Sequence, residues 1–223
     1  MAALFLYLAN NISNIYSYVN MKSKYLSALS ILFLILLVDQ WFKFYIKTNF
    51  YLGEEKKIIG DWFKLHFTEN YGMAFGFEFG GKIGKYFLTF FRIIFVGVIA
   101  YYVKTLIDKG TRSLYILGWT LIIAGALGNI IDSVFYGVYF GYDDWFHGRV
   151  VDMLYFPIIQ TTIPENWPFW AGEEFEFFRP VFNIADAAIS IGFVVILLMQ
   201  NSVSRDEELA EKASENAAKE LNQ

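Results

Sequence analysis

The sequence predicts an α-helical membrane protein: four transmembrane helices with a small extracytoplasmic β-sheet and an interfacial, aromatic-rich loop. Three observations predict it. Of 223 residues, 56% are hydrophobic, and 24 Phe, 15 Tyr and 6 Trp are too many large apolar side chains for a soluble domain of this size. Four apolar runs, near residues 25–45, 84–104, 114–136 and 181–200, are each long enough, at about 20 residues, to cross roughly 30 Å of hydrocarbon. Two longer segments between them, 46–83 and 137–180, mix polar and aromatic residues instead.

Composition also excludes several chemistries. The absence of cysteine removes disulfides, thiolate metal sites and cysteine nucleophiles. Two histidines, His66 and His147, are too few for a histidine zinc site. A net charge of −4 leaves no footprint for nucleic acid.

Residues 1–20, MAALFLYLANNISNIYSYVN, are apolar but lack a basic leading region, so they read as an N-terminal extension and not as a cleavable signal peptide. Met21-Lys22-Ser23-Lys24 is the better-placed start for an inserted chain, and residues 21–201 form the four-span domain. Lys22 and Lys24 flank the first span, and Lys104, Lys109 and Arg112 lie in the short connection between the second and third. The positive-inside rule places both in the cytoplasm, and an even number of spans then puts both termini there.

Segment 46–83 alternates apolar and polar residues in DWFKLHFTEN and turns through glycines in YGMAFGFEFGG, which predicts a small sheet at the outer membrane surface. Segment 137–180 holds Trp145, Trp167, Trp170 and the run EEFEFF, the composition of an interfacial aromatic belt. Residues 202–223, rich in Glu, Lys and Ala, read as a charged cytoplasmic tail, either a solvated helix or disordered.

With this topology the carboxylates of the spans fall on one level. The first helix runs outward and is expected to end near Asp39, the third ends near Asn129 and Asp132, and the fourth starts inward with Asn183 and Asp186. NIID and NIAD each place an amide and a carboxylate three residues apart, on one helical face. Asp152 follows Arg149-Val150-Val151 in a segment too short to span and belongs at the same outer interface. Ala124 and Gly128, four apart, allow another helix to approach closely.

Bland readings compete with functional ones. Asp39 beside Trp41 and Lys43 reads first as an interfacial group that helps to fold the site, and Asp132 with Asn129 as interhelical glue. Asn70 fits an ordinary turn and a site residue equally, while Arg92 is given no more than snorkelling or pairing with an acid. For Asp152 and Asp186 the balance reverses. Two carboxylates beside hydrocarbon, if they meet, cannot both ionise cheaply and must share a proton. That is the state in which one carboxylate activates water while the other, protonated, polarises a scissile carbonyl.

Five motifs carry a resemblance. Asp39-Gln40, then Glu69-Asn70-Tyr71-Gly72-Met73-Ala74-Phe75-Gly76, Gly125-Ala126-Leu127-Gly128-Asn129-Ile130-Ile131-Asp132, Val150-Val151-Asp152 and Phe182-Asn183-Ile184-Ala185-Asp186 occur in this order on a four-span frame. From about Lys24 to Gln200 the chain resembles the lipoprotein signal peptidases (signal peptidase II), aspartic proteases of the bacterial inner membrane. The resemblance implies that Asp152 and Asp186 are the catalytic pair, that Asn129, Asp132 and Asn183 support or line the site, that Asp39 joins the same layer and that Asn70 contacts substrate. It implies removal of the signal peptide from a diacylglyceryl-modified prolipoprotein, cut just before the lipidated cysteine. No metal or organic cofactor is implied. The chain is expected to act as a monomer among membrane lipids, with its site at the extracytoplasmic face.

One departure stands out. The family usually has arginine directly after the aspartate of Asn-x-x-Asp; here that residue is Ser133, so Arg149 or Arg179 is expected to supply the missing charge. A proton-coupled transporter is the main alternative, since intramembrane Asp and Asn also build ion sites, although such acids belong near the midplane of a repeated fold. An inert scaffold is the third reading.

Overall fold

A computed structural model describes residues 1–72 and 81–221, so the Met73–Gly76 part of the second motif and the glycine turn after it lie outside the described residues, as do Asn222 and Gln223. Among the described residues, four helices are long and apolar enough to cross a membrane, over Ser17–Asn49, Ile83–Asp108, Ser113–Tyr139 and Ile184–Asn216. They belong to α1 (Ala2–Asn49), α2 (Gly81–Asp108), α3 (Ser113–Ile131), which continues through a π-helical turn (Asp132–Tyr136) and the short α4 (Gly137–Tyr139), and α5 (Ile184–Leu221). Their apolar side chains are turned outward: Leu26, Leu29, Phe33 and Leu37 on α1, for example, are exposed, which suits helices solvated by lipid. The predicted fold class is the one observed.

The chain divides into two compact units. One comprises Met1–Leu34, Val96–Ala124 and Ala188–Gln223. Its core is Ile99, Val103, Leu106, Ile107, Ile116, Ile123 and Ile196, all buried. A Cβ on Gly118 would sit 3.0 Å from the Gly192 carbonyl oxygen, so α3 and α5 cross here backbone to backbone. Lys24 Nζ donates to the carbonyls of Gly110 and Thr111 at 2.8 and 2.7 Å, tying α1 to the end of α2, where those carbonyls have no helical partner. Arg112 and Asp206 pair at 2.5 Å. The tail beyond Ser202 is helical as far as Leu221.

The other unit, Ile35–Phe95 and Gly125–Ala187, holds the sheets. β1 (Glu55–Ile59), β2 (Phe63–Asn70), β3 (Val150–Tyr155) and β6 (Val181–Phe182) form one antiparallel sheet in that order. β4 (Ile159–Thr162) and β5 (Glu174–Phe177) form a separate hairpin. β2 buries Leu65 and Phe67 on one face, as its apolar alternation predicts, and also buries Lys64, whereas β3 is buried on both faces at Val150, Val151, Asp152 and Met153. Ile46, Phe50, Leu65, Phe67, Tyr136, Val151 and Met153 make a core that joins the end of α1 to this sheet. Segment 137–180, expected as an aromatic loop, therefore also supplies β3 and the hairpin.

Candidate active site

Helix α1 does not end near Asp39; it continues to Asn49 because Ile46 and Phe50 pack into the sheet core. Asp39 is thus buried, at 1% exposure. Lys43, one turn on and fully buried, lies 2.9 Å from Asp39 and 2.8 Å from Asp132. Its third proton goes to Asn129 Oδ1 at 2.9 Å. A buried cation is stable only with such complete pairing. Gln40 Nε2 adds contacts to Asp132 Oδ1 and the Gly128 carbonyl at 2.9 and 3.1 Å, and Tyr136 donates to Gln40 Oε1 at 3.1 Å.

Gly128 makes this layer possible, since a Cβ there would meet Asp39 Oδ2 at 2.7 Å and the Ala185 Cβ at 3.1 Å. The other oxygen of Asp39 accepts the Ala185 N–H at 2.8 Å, so α1 satisfies an otherwise orphaned donor in the first turn of α5. Asp132 opens the π-helical turn, a wide turn that frees backbone carbonyls. The Ser133 and Val134 carbonyls accept the N–H groups of Gly148 and Phe146 at 2.9 and 3.1 Å. Gly148 lies so close to the Asp132 carbonyl that no side chain fits, and Asp132 Oδ2 accepts the Val151 N–H at 3.3 Å. These contacts deliver β3, and with it Asp152, to the layer.

Asp152 and Asp186 are then joined by two asparagines. Asn183 Nδ2 donates to Asp152 Oδ1 at 2.8 Å and to Asn129 Oδ1 at 3.2 Å, and Asn129 Nδ2 donates to Asp186 Oδ1 at 2.7 Å. Asn183 is also the N-cap of α5, its Oδ1 accepting the Asp186 N–H at 2.8 Å. Asn70, at the end of β2, donates to Asp152 Oδ2. Asp152 is 4% exposed and Asp186 half-buried. Burial, followed by the Asp186 charge, pushes Asp152 up to about 7, against the opposing hydrogen bonds from Asn70 and Asn183.

The remaining sequence candidates fall around this pair. Arg149 is partly exposed, reaches Glu69 at 3.4 Å and stacks on Tyr71 and Tyr142 with its guanidinium 5.2 and 5.4 Å from the ring centres. Glu69 also pairs with Lys47. Arg179 is 75% exposed and pairs with Glu176 at 3.7 Å. Ser133 is buried, and its hydroxyl has no hydrogen-bond partner among the described residues. Three cations carry no site role in the sequence reading, Arg92 among them as no more than a snorkelling side chain or an acid's partner. Lys43 was legible as an i, i+4 partner of Asp39 on an apolar helix. Buried Lys85 donates to the Tyr71 and Gly148 carbonyls, and Arg92 donates to the Gly72 carbonyl and lies in the field of Asp186; no spacing signal marks either.

The class defined by this architecture is an α-helical membrane protein with a small antiparallel sheet beside its spans. Two solved bacterial membrane enzymes, determined by the in meso method, share the fold. One, at 2.3 Å, gives a TM-score of 0.56 over 81% of this chain and 90% of its own at 22% identity. The other, at 1.9 Å, gives 0.55 over 78% and 92% at 24% identity.

The family model described as signal peptidase (SPase) II matches residues 31–201. The lipoprotein signal peptidase of Porphyromonas gingivalis is 47% identical over 185 residues, 76% of this chain and 80% of its own. Those of Amoebophilus asiaticus and Neisseria meningitidis are 40% and 33% identical, over 74% and 76% of this chain and 73% and 85% of theirs. The chain belongs to the signal peptidase II family. It is an aspartic endopeptidase of the bacterial inner membrane, and neither fold nor family supports the transporter alternative.

Proposed function

We propose that Asp152 and Asp186 are the catalytic pair with which this enzyme removes the signal peptide of a diacylglyceryl-modified prolipoprotein, cutting just before the lipidated cysteine. The observation that carries this reading is the Asn183–Asn129 relay between the two carboxylates, together with the elevation of Asp152 to about 7. Raised to about 7, Asp152 retains a proton in the neutral range for the pair to use. Asp186, the more accessible of the two, takes a proton from water as its oxygen attacks the scissile carbonyl carbon, and Asp152 gives its proton to the carbonyl oxygen. Collapse of the tetrahedral species breaks the C–N bond; the proton on Asp186 goes to the leaving amine and Asp152 recovers its own.

Asn129 and Asn183 hold the pair in place, and Asp39 and Asp132, paired with Lys43, support that layer. Asn70 serves both Asp152 and substrate, and Arg149 lines the approach beside it. Residues 21–201 form the peptidase domain, flanked by the 1–20 extension and the 202–223 tail. Both termini and the basic connection after α2 face the cytoplasm, and the site opens at the extracytoplasmic side, where the acyl chains of a lipidated cysteine are anchored. The enzyme works as a monomer with membrane lipids around it, and no metal or cofactor enters the chemistry.

The test is incubation of purified protein with a diacylglyceryl-modified prolipoprotein, followed on a gel. The parent is expected to release the signal peptide, and Asp152→Asn and Asp186→Asn each to fail while remaining folded. Cleavage at near-parental rate by a well-folded Asp186→Asn protein would remove the pair from consideration.

A further inference from the structure

Among the described residues, the β4–β5 hairpin ties one face to the protein and leaves the other exposed. Its register pairs Ile159 with Phe177 and Thr161 with Phe175 on one face, and Gln160 with Glu176 and Thr162 with Glu174 on the other. The polar face is tied down: Glu176 accepts from the Tyr155 hydroxyl on β3 and pairs with Arg179 at 3.7 Å. Opposite it, Ile159, Phe175 and Phe177 are exposed, and at the tip Trp167, Phe169 and Trp170 are 58, 66 and 66% exposed. A two-stranded hairpin is marginal in water by itself, and an apolar patch of this kind marks an interaction surface.

The chain path says what covers it. Phe156, entering the hairpin, and Phe178, leaving it, both pack on Phe182, with ring centres 5.7 and 6.0 Å away. Phe182 lies two residues before α5, whose membrane span begins at Ile184. The base of the hairpin is therefore held at the outer boundary of the bilayer, where Trp and Phe partition favourably. Glu165, Glu173 and Glu174 beside the tip disfavour attraction to anionic headgroups, leaving apolar insertion as the driving force.

We infer that the β4–β5 hairpin is an interfacial anchor that lays its Ile159/Phe175/Phe177 face and its Trp167–Phe169–Trp170 tip into the outer leaflet, independently of substrate. The anchor acts on the same strand, β3, that carries Asp152, through Tyr155 and Glu176.

Because the chain has no cysteine, Phe169→Cys gives a unique label site, and Trp167→Cys a second reporter on the same tip. Each full-length variant, carrying an environment-sensitive fluorophore, is placed in phosphatidylcholine nanodiscs and compared with Lys57→Cys on exposed β1. Expected at 167 and 169 are blue-shifted emission, quenching by nitroxide lipids labelled near the glycerol level, and several-fold less quenching by aqueous iodide than at 57. These values should not change when phosphatidylglycerol or prolipoprotein is added. Iodide access equal to that at 57 would overturn the anchor. So would protection that appears only with prolipoprotein, which would make the hairpin a substrate clasp, or only with anionic lipid. If both cysteine variants aggregate, tryptophan quenching by brominated phosphatidylcholine decides: it should fall clearly in Trp167→Phe/Trp170→Phe, and no fall would overturn the anchor.

Discussion

Asn183 donates to Asp152 at 2.8 Å while the same side chain, through its oxygen, caps the helix that carries Asp186 at 2.8 Å. One residue therefore fixes the position of both carboxylates, one by its amide nitrogen and the other through the backbone. The two roles separate in Asn183→Ser. A serine hydroxyl caps a helix nearly as well as asparagine but is too short to reach Asp152 and Asn129. Its melting temperature is expected to stay near the parent's, with kcat down at least about tenfold for loss of the relay. Asn183→Ala should lose the cap as well, by about 0.5–2 kcal/mol of stability. A Ser variant with parental kcat would show that the asparagine matters only as a cap.

Lys43 is the stability counterpart of that relay. It has no exposure and neutralises Asp39 and Asp132, both also buried. Lys43→Met leaves two adjacent carboxylates without a cation, and breaking a buried ion pair from one side typically costs roughly 3–5 kcal/mol. Thermal unfolding in detergent should fall sharply, and adding Asp132→Asn to Lys43→Met should restore part of the loss. Asp39→Asn, which keeps shape and loses charge, is expected to retain measurable cleavage. If Lys43→Met unfolded at the parental temperature, the three charges would not be coupled as their distances imply.

The spans and the composition of the site were legible because hydrophobic length and polar exceptions within it are strong signals. Asp39, Asn129, Asp132, Asn183 and Asp186 stand out against apolar helices, and all five lie in one layer. Helix ends were not legible. The run from Trp41 to Asn49 is amphipathic in a way that reads as an interface, yet it stays helical because one side packs into a sheet supplied by distant residues. β3 escaped for a related reason: buried on both faces, VVDMLY is a continuous apolar run with one acid, without the alternation that identifies β2. Close approach was sought at Ala124 and Gly128. Gly128 does admit Asp39, but the tight backbone crossing of α3 and α5 is at Gly118 and Gly192, visible only once two separate helices are placed together.

The orientation proposed for the chain rests on Lys22, Lys24, Lys104, Lys109 and Arg112 and is open to direct labelling. In intact cells Lys109→Cys should resist an impermeant thiol reagent applied from outside, whereas Lys57→Cys on β1 should react once the reagent reaches the extracytoplasmic face. The native chain, lacking cysteine, provides a silent background. The reverse pattern would place the sheet and Asp152 on the cytoplasmic side and exclude a site at the outer leaflet.

The pH profile reports on the carboxylate pair. Asp152 is raised to about 7, well above an ordinary aspartate, by burial and by the Asp186 charge. The shared proton is therefore present below that pH and lost as pH rises through it, so kcat should fall on the alkaline side near 7 and, where the pair takes up a second proton, on the acid side too. Asn70 gives this limb a signature. Its amide donates to Asp152 and favours the ionised form, holding the value lower than burial alone would set it. Removing that donor in Asn70→Ala should raise Asp152 further, moving the alkaline limb upward by roughly half a unit to one unit, the scale of a single hydrogen bond. A surface effect would lower kcat without moving the limb. Measurement of kcat against pH at saturating prolipoprotein distinguishes them: an alkaline limb that stays in place in Asn70→Ala, or moves downward, belongs to some group other than Asp152.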